Sequence, residues 1–223
     1  MTAVAAPRRR SFRELIGDLP LEGRLYLEHV PWSEYAQLVD DLMGIRHIHI
    51  SYDQGRMEIM PISAEHDGFA RLFGYLVQIL TEELGLEFAS RGSMTMMSEN
   101  REKGAEADDC FYIEDLQRIL GKKRVNMDVD APPDLAIEVD ITSPTLSKLP
   151  IYAGLGIAEL WRYHDNQIEF YQREGETYCL AHHSQIFPFL TTDVLVAAVQ
   201  QGDAEGINTM RRHFRQWVQA HKP

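Results

Sequence analysis

The spacing of apolar positions changes period several times along the chain, and each change predicts an element. In 31–44, Tyr35, Leu38, Val39 and Leu42 recur at helical spacing after Pro31 and the cap candidate Ser33, and Gly44 offers a stop. Residues 47–61 alternate on both sides of "YDQG", the pattern of a β-hairpin with a glycine turn. A long helix follows, capped by Ser63. Phe69, Leu72, Phe73, Leu76, Val77, Leu80 and Leu84 form its apolar face, and Gly85 ends it. Residues 86–98 read as one strand with polar interruptions, and 107–115 as a short buried strand. After the basic linker "GKKR" (121–124) comes a strand over 134–141, then a helix over about 147–155. Three β-like runs fill 158–184, punctuated by "DN" and "EGE". An amphipathic helix closes the chain, with Met210, Phe214 and Val218 on one side.

This order, with no internal repeat, predicts an α/β or α+β domain: a mixed central sheet flanked by helices, with an N-terminal helix and β-hairpin as an extension. Residues 1–20 read as a loosely ordered lead-in with solvated Arg8, Arg9 and Arg10, and 21–223 as a single domain.

The strand at 134–141 raises the chemical question. Leu135, Ile137, Val139 and Ile141 point one way, and Asp134, Glu138 and Asp140 the other, with only Ala136 between them. Three carboxylates on one face of so apolar a strand need compensation. A divalent cation could supply it, compensating Glu138 and also Asp108 at the start of the 107–115 strand, with Lys148 in the first turn of the next helix and Glu65 in the first turn of the long helix on elements that could converge with them. Hard cations such as Mg²⁺ take carboxylate, water and phosphate oxygens, and they activate a water for attack on phosphorus. A lysine nearby can orient the water or stabilise the transition state, and a helix N-terminus lowers its pKa and attracts phosphate. Each residue has a plainer reading. Glu65 favours a helix N-terminus regardless of function, Asp134 and Asp140 can cap turns, and a lone lysine belongs on a surface. Mid-strand Glu138 is the hardest to explain without a partner. His66 lacks a second His or Cys at ligand spacing, the pairs His47/His49 and His182/His183 read as non-catalytic, and Tyr152 and Trp161 read as packing residues. No GxSxG, phosphate-binding GxxxxGK[ST], GxGxxG or CxxC motif is present.

Composition narrows the setting. The 223 residues are 44% hydrophobic, enough for a substantial core, and the net charge of −12 argues against a generally DNA-coating surface while leaving room for a local basic groove. Cys110 and Cys179 lie far apart in apolar stretches, as expected of reduced, buried thiols in a cytoplasmic protein. The N-terminal stretch is a poor signal peptide, and no run approaches a membrane span, so no membrane association is expected.

Several ordered stretches resemble the Uma-two family of restriction-endonuclease-like proteins, within the PD-(D/E)xK nuclease superfamily. They are "ISYDQGRMEIMPISAEHD", "GAEADDCFYI", "PPDLAIEVDITSPT" and "KLPIYAGLGIAELWRY", which together span most of 30–220. The resemblance implies a restriction-endonuclease-like fold. It implies Asp108 and Glu138 as metal-binding acids, Lys148 as the catalytic lysine and Glu65 as a helix-borne carboxylate, with Mg²⁺ or Mn²⁺ as cofactor. The superfamily's usual lysine position holds Asp140 here, a candidate further ligand, and the proline of the usual "EPD" is Ala107. The expected function is hydrolysis of nucleic acid, with DNA foremost, by a homodimer. Arg91, Arg101, Lys103 and 122–124 are the expected substrate contacts. The alternative is a catalytically inactive binding or dimerisation module on the same fold, for which the −12 charge speaks.

Overall fold

The computed structural model describes residues 12–42, 47–140 and 146–223. Gly44, Ile141, the "ITSPT" stretch and residues 1–11 of the expected lead-in lie outside them. The chain runs α1 (Phe12–Gly17), β1 (Leu25–Leu27), α2 (Trp32–Leu42), β2 (Ile48–Asp53), β3 (Arg56–Pro61), α3 (Ala64–Leu84), β4 (Ala89–Ser90), β5 (Thr95–Ser98) and β6 (Lys103–Glu106). It continues β7 (Asp109–Tyr112), α4 (Leu116–Ile119), β8 (Leu135–Asp140), α5 (Leu149–Leu155), β9 (Glu159–His164), β10 (Gln167–Glu174), β11 (Thr177–Ala181), α6 (Thr192–Glu205) and α7 (Ile207–His221).

The strands form a mixed six-stranded sheet, β11-β10-β9-β8-β7-β4, and a second sheet of five, β1-β3-β2-β6-β5. In the first, β8 lies between antiparallel β7 and parallel β9. The mixed sheet and its helices match the sequence expectation. The hairpin does not stand apart as an extension, because β2 and β3 are the inner strands of the second sheet. Its turn is the two-residue kind that suits the twist of paired strands, with Gln54 at φ 49° and Gly55 at φ 86°.

Residues 86–98 do not form one strand. The chain turns at Gly92, φ 59°, so that β4 joins the larger sheet and β5 the smaller. It returns between β6 and β7, and Ala107 and Asp108 occupy that second crossing. Helix α6 has no counterpart in the sequence expectation: Val194 to Val199 are six consecutive apolar residues, a run without helical period.

One core cluster packs Phe73, Leu76, Val77 and Leu80 of α3 and Met210, Phe214 and Val218 of α7 against Leu135, Ile137 and Val139. A second lies on the opposite face of β8, where Ala136 meets Ile151, Tyr152 and Leu155 of α5 and Ala105 of β6. The strand's apolar side thus faces α3, and its carboxylate side faces α5. A third cluster joins Tyr35 and Leu38 of α2 to Tyr52, Met57 and Ile59. At its edge a Cβ on Gly104 would lie 1.9 Å from the Tyr35 Oη, and the tyrosine is fully buried. Gly104→Ala is therefore expected to cost about 1–3 kcal/mol or more, read from urea unfolding, because the ring has nowhere to retreat.

Some polar residues are purely structural. Asp134 accepts from the Ile113 and Asp115 amides at 2.6 and 3.1 Å, the capping role open to it from sequence. Fully buried Glu159 accepts from the Trp161 indole at 2.6 Å and from the Gln185 and Ile186 amides. Cys110 is buried and free, whereas Cys179 is free but exposed on β11, an edge strand with one face to solvent. Among the described residues, no helix is long and apolar enough to cross a membrane.

Candidate active site

Asp108 sits where the chain passes from one sheet to the other. Its amide donates to the Ile137 carbonyl at 3.0 Å, and its Oδ2 accepts from the Val139 amide at 2.6 Å. These bonds fasten it beside β8, and its side chain is 2% exposed. Between those two strand residues, on the face turned to α5, is buried Glu138.

Helix α5 supplies Glu138 with its partners. Lys148 is the helix N-cap residue, and Pro150 follows within the first turn, where a missing amide costs nothing. The Lys148 Nζ donates to Glu138 Oε2 at 2.7 Å, and the Tyr152 hydroxyl, one turn later, donates to Oε1. Burial alone would lower the lysine's pKa, but Glu138, Asp108 and Asp140 outweigh it and raise it. Lys148 is thus a held cation and not a base, opposite to the shift expected from a helix N-terminus. Burial pushes Glu138 up to about 7, against the pull of Lys148.

Asp108 has imidazole neighbours. Ser63 caps α3 and accepts from the His66 amide at 3.3 Å, setting His66 in the first turn. Its Nδ1 lies 3.1 Å from Asp108 Oδ1, and the Nδ1 of His49 on β2 lies 3.6 Å from the same oxygen. Both nitrogens are buried and, among the described residues, lack hydrogen-bond geometry to a partner. Burial favours the neutral acid at Asp108, but His66, His49 and Lys148 outweigh it and hold the carboxylate ionised. Burial drives His49 down to about 4, so it is neutral at pH 7.

That depression has a consequence for acid stability. His49 in the unfolded chain takes a proton near pH 6.5, and in the folded protein only near 4, so the unfolded state binds more protons between these values. Its contribution to stability is complete above about 6.5 and is lost as pH falls through that window, by up to about 3 kcal/mol. His49→Gln is expected to lose less stability than wild type between pH 7 and 4.5 in urea titrations. Equal losses would contradict the assignment.

No three His, Cys, Asp or Glu side chains among the described residues converge as a ready cage for a metal ion. The donor set nevertheless fits an ion that keeps water ligands. Among the described residues, Asp108 Oδ1 lies 3.1 and 3.6 Å from two buried imidazole nitrogens that lack hydrogen-bond geometry to it, and Glu138 lies on the next strand. Carboxylate oxygens suit Mg²⁺ or Mn²⁺, whose shells water and phosphate oxygens complete, and the imidazoles would hold Asp108 from behind.

Residues 32–200 match a family described as "Uma2: Putative restriction endonuclease". The chain belongs to this family. Among solved structures it is similar to a protein of Anabaena variabilis ATCC 29413, described as a "putative nuclease belonging to DUF820". That likeness has 11% identity and a TM-score of 0.43, covering 73% of this chain and 90% of that one. No curated protein matches it.

Within this Uma2 chain, Asp108, Glu138 and Lys148 come together, as the sequence expectation has them. Glu65 does not join them. It is exposed, and α3 turns His66 inward instead. Asp140 is engaged by Arg162, whose Nε donates to Oδ2 at 2.6 Å. Arg162 stands opposite Glu138 in the β8–β9 register. With Glu138, Asp140, Ser147 and Lys148 it lines a cavity of about 140 Å³. Sequence reasoning set aside His49 and gave Tyr152 only a packing role. The spacing of Lys148 and Tyr152, one helical turn apart, was the available signal for Tyr152, whereas His49 of β2 and His66 of α3, with ring centroids 5.8 Å apart, meet only in the folded chain.

Proposed function

We propose that the chain is a divalent-cation-dependent nuclease that hydrolyses phosphodiester bonds of nucleic acid. The observation that carries this is the convergence of Asp108, Glu138 and Lys148 at the seam of the two sheets, in a chain of the Uma2 family. Asp108 and Glu138 would hold the ion. Mg²⁺ or Mn²⁺ there would supply a water activated for attack and neutralise phosphate charge. Lys148, kept protonated by the carboxylates around it, would stabilise the charge that grows on the phosphoryl oxygens. Tyr152 holds the Glu138 carboxylate in place. Asp108 stays ionised beside His66, so its oxygen is ready to bind a cation. Asp140, bonded to Arg162, and exposed Glu65 have no part in this reading.

We take DNA as the substrate and the cytoplasm as the setting, with a homodimer where both strands of a duplex are to be cut. Sedimentation tests the dimer.

A second reading has an observation of its own. Both Glu138 oxygens already have partners, Lys148 and Tyr152, so the fold closes the site without an ion, as an inactive binding module would. Calorimetric titration of Mn²⁺ into wild type, Asp108→Asn and Glu138→Gln separates the two. Binding that both substitutions abolish supports the nuclease. No binding to wild type at millimolar ion supports the module.

A further inference from the structure

We infer that a basic cleft beside the candidate active site takes a single, unpaired nucleic-acid strand. The inference rests on the nuclease reading for its substrate class and adds to it the form of the substrate and the residues that grip it. The cleft has a volume of about 790 Å³, and His49 and Glu106 form part of its wall. Asp108 lies directly behind His49, 3.6 Å from the ring nitrogen.

Four cationic side chains from three segments line this cleft: Arg71 of α3, Arg91 after β4, and Lys123 and Arg124 before β8. They outnumber its carboxylates Asp40, Asp67 and Glu106, of which Asp67 lies 3.2 Å from His47 and Glu106 accepts from Thr95. Among the described residues, Arg71, Lys123 and Arg124 are exposed and make no ion pair. The other basic groups expected to meet substrate are spent elsewhere or lie outside the cleft. Lys122 pairs with Asp130, Lys103 bonds Asp53 at 2.5 Å, and Arg101 does not line it. Arg91 explains why the 121–124 run faces this way. Its Nη2 donates to the Ile119 and Lys122 carbonyls at 3.3 and 3.0 Å, tying that run to the cleft, while its buried Nε has no partner among the described residues.

Charge and reach favour one strand over two. A duplex carries a charge every ~1.7 Å of its axis and would press its second strand against the exterior of a protein of net charge −12. Its phosphates also ride on the outside of a wide cylinder, whereas Asp108 is 2% exposed behind the cleft wall. A flexible strand can follow the cleft, its phosphates on the cations and its bases against Val39, Ile48, Met94, Met97 and Val125. Among the described residues no Phe, Tyr or Trp ring lines the cleft, so base stacking adds little and sequence preference should be weak.

The test is fluorescence anisotropy in EDTA, which removes any contribution from cleavage. The probe is a labelled DNA of about 12 nucleotides, within the ~4–16 nucleotides that single-strand grooves cover, compared with the same DNA as a duplex. The single strand should bind at least about tenfold tighter at low salt. Three phosphate contacts should give a log–log salt slope of about −2. The Arg71→Glu/Arg124→Glu variant, with folding verified by circular dichroism, should lose at least about tenfold in affinity. Equal or tighter duplex binding would overturn the proposal, as would unchanged affinity in the charge-reversed variant. Absence of any DNA binding would overturn it too, even if cation-dependent hydrolysis of bis(p-nitrophenyl) phosphate left the phosphodiesterase reading intact.

Discussion

Lys148→Met is expected to lower the free energy of unfolding by about 3–5 kcal/mol at pH 8, the usual cost of stranding one member of a buried ion pair. Lys148 is 9% exposed and its Nζ bonds Glu138 at 2.7 Å, so little water can replace it. The loss depends on pH with a definite sign. Burial already raises the Glu138 carboxyl to about 7 with the lysine present, and removing the cation raises it further. A folded-state carboxyl titrating above its unfolded value of about 4.3 costs stability as pH rises between the two. The variant's deficit should therefore shrink at pH 5.5, where Glu138 accepts a proton. Glu138→Gln/Lys148→Met should recover most of the stability, because neither side chain is then a stranded charge. Nuclease activity should be absent from both. A single variant within about 1 kcal/mol of wild type at pH 8 would show that the pair is not closed to solvent.

Asp108→Asn should do the reverse, sparing the fold and removing the chemistry. The amide oxygen can still accept from the Val139 amide, now bonded at 2.6 Å, so the crossing between the sheets is kept. What disappears is the charge facing His66 and His49. Burial lowers the His66 pKa, and Asp108 more than offsets it. In the variant the His66 titration, followed by NMR, should move downward. Cleavage should fall by at least about 10²–10³-fold, the scale of losing one well-placed group from a reaction centre. A variant that cuts at wild-type rate would remove Asp108 from the mechanism.

The parts of this site that sequence made legible are those fixed by short-range periodicity. Alternation in 134–141 set Glu138 on the face opposite Ile137 and Val139, and the clusters on the two sides of β8 have that arrangement. The caps Ser63 and Gly85 bound α3 because their chemistry is local. What stayed hidden depends on contacts between distant segments. The crossing that carries Asp108 follows from β5 and β6 joining a different sheet from β4 and β7. The inward turn of His66 in place of Glu65 is a rotation of about 100° on one helix, which no local pattern fixes where both neighbours are polar. The Arg162–Asp140 pair arises from the parallel register of β8 and β9, which sequence does not specify. The lysine's raised pKa has the same origin, since the carboxylates that outweigh its burial come from three separate positions in the chain.

The most direct test of the central claim is cleavage of an end-labelled single-stranded DNA by metal-stripped protein, with Mg²⁺ or Mn²⁺ added back, in wild type and in Asp108→Asn. Cation-dependent fragments from wild type, absent in EDTA and absent from the variant, are the predicted result. Fragments that persist in EDTA or in the variant, or a wild type that cuts neither single-stranded nor duplex DNA nor RNA with either ion, would contradict it.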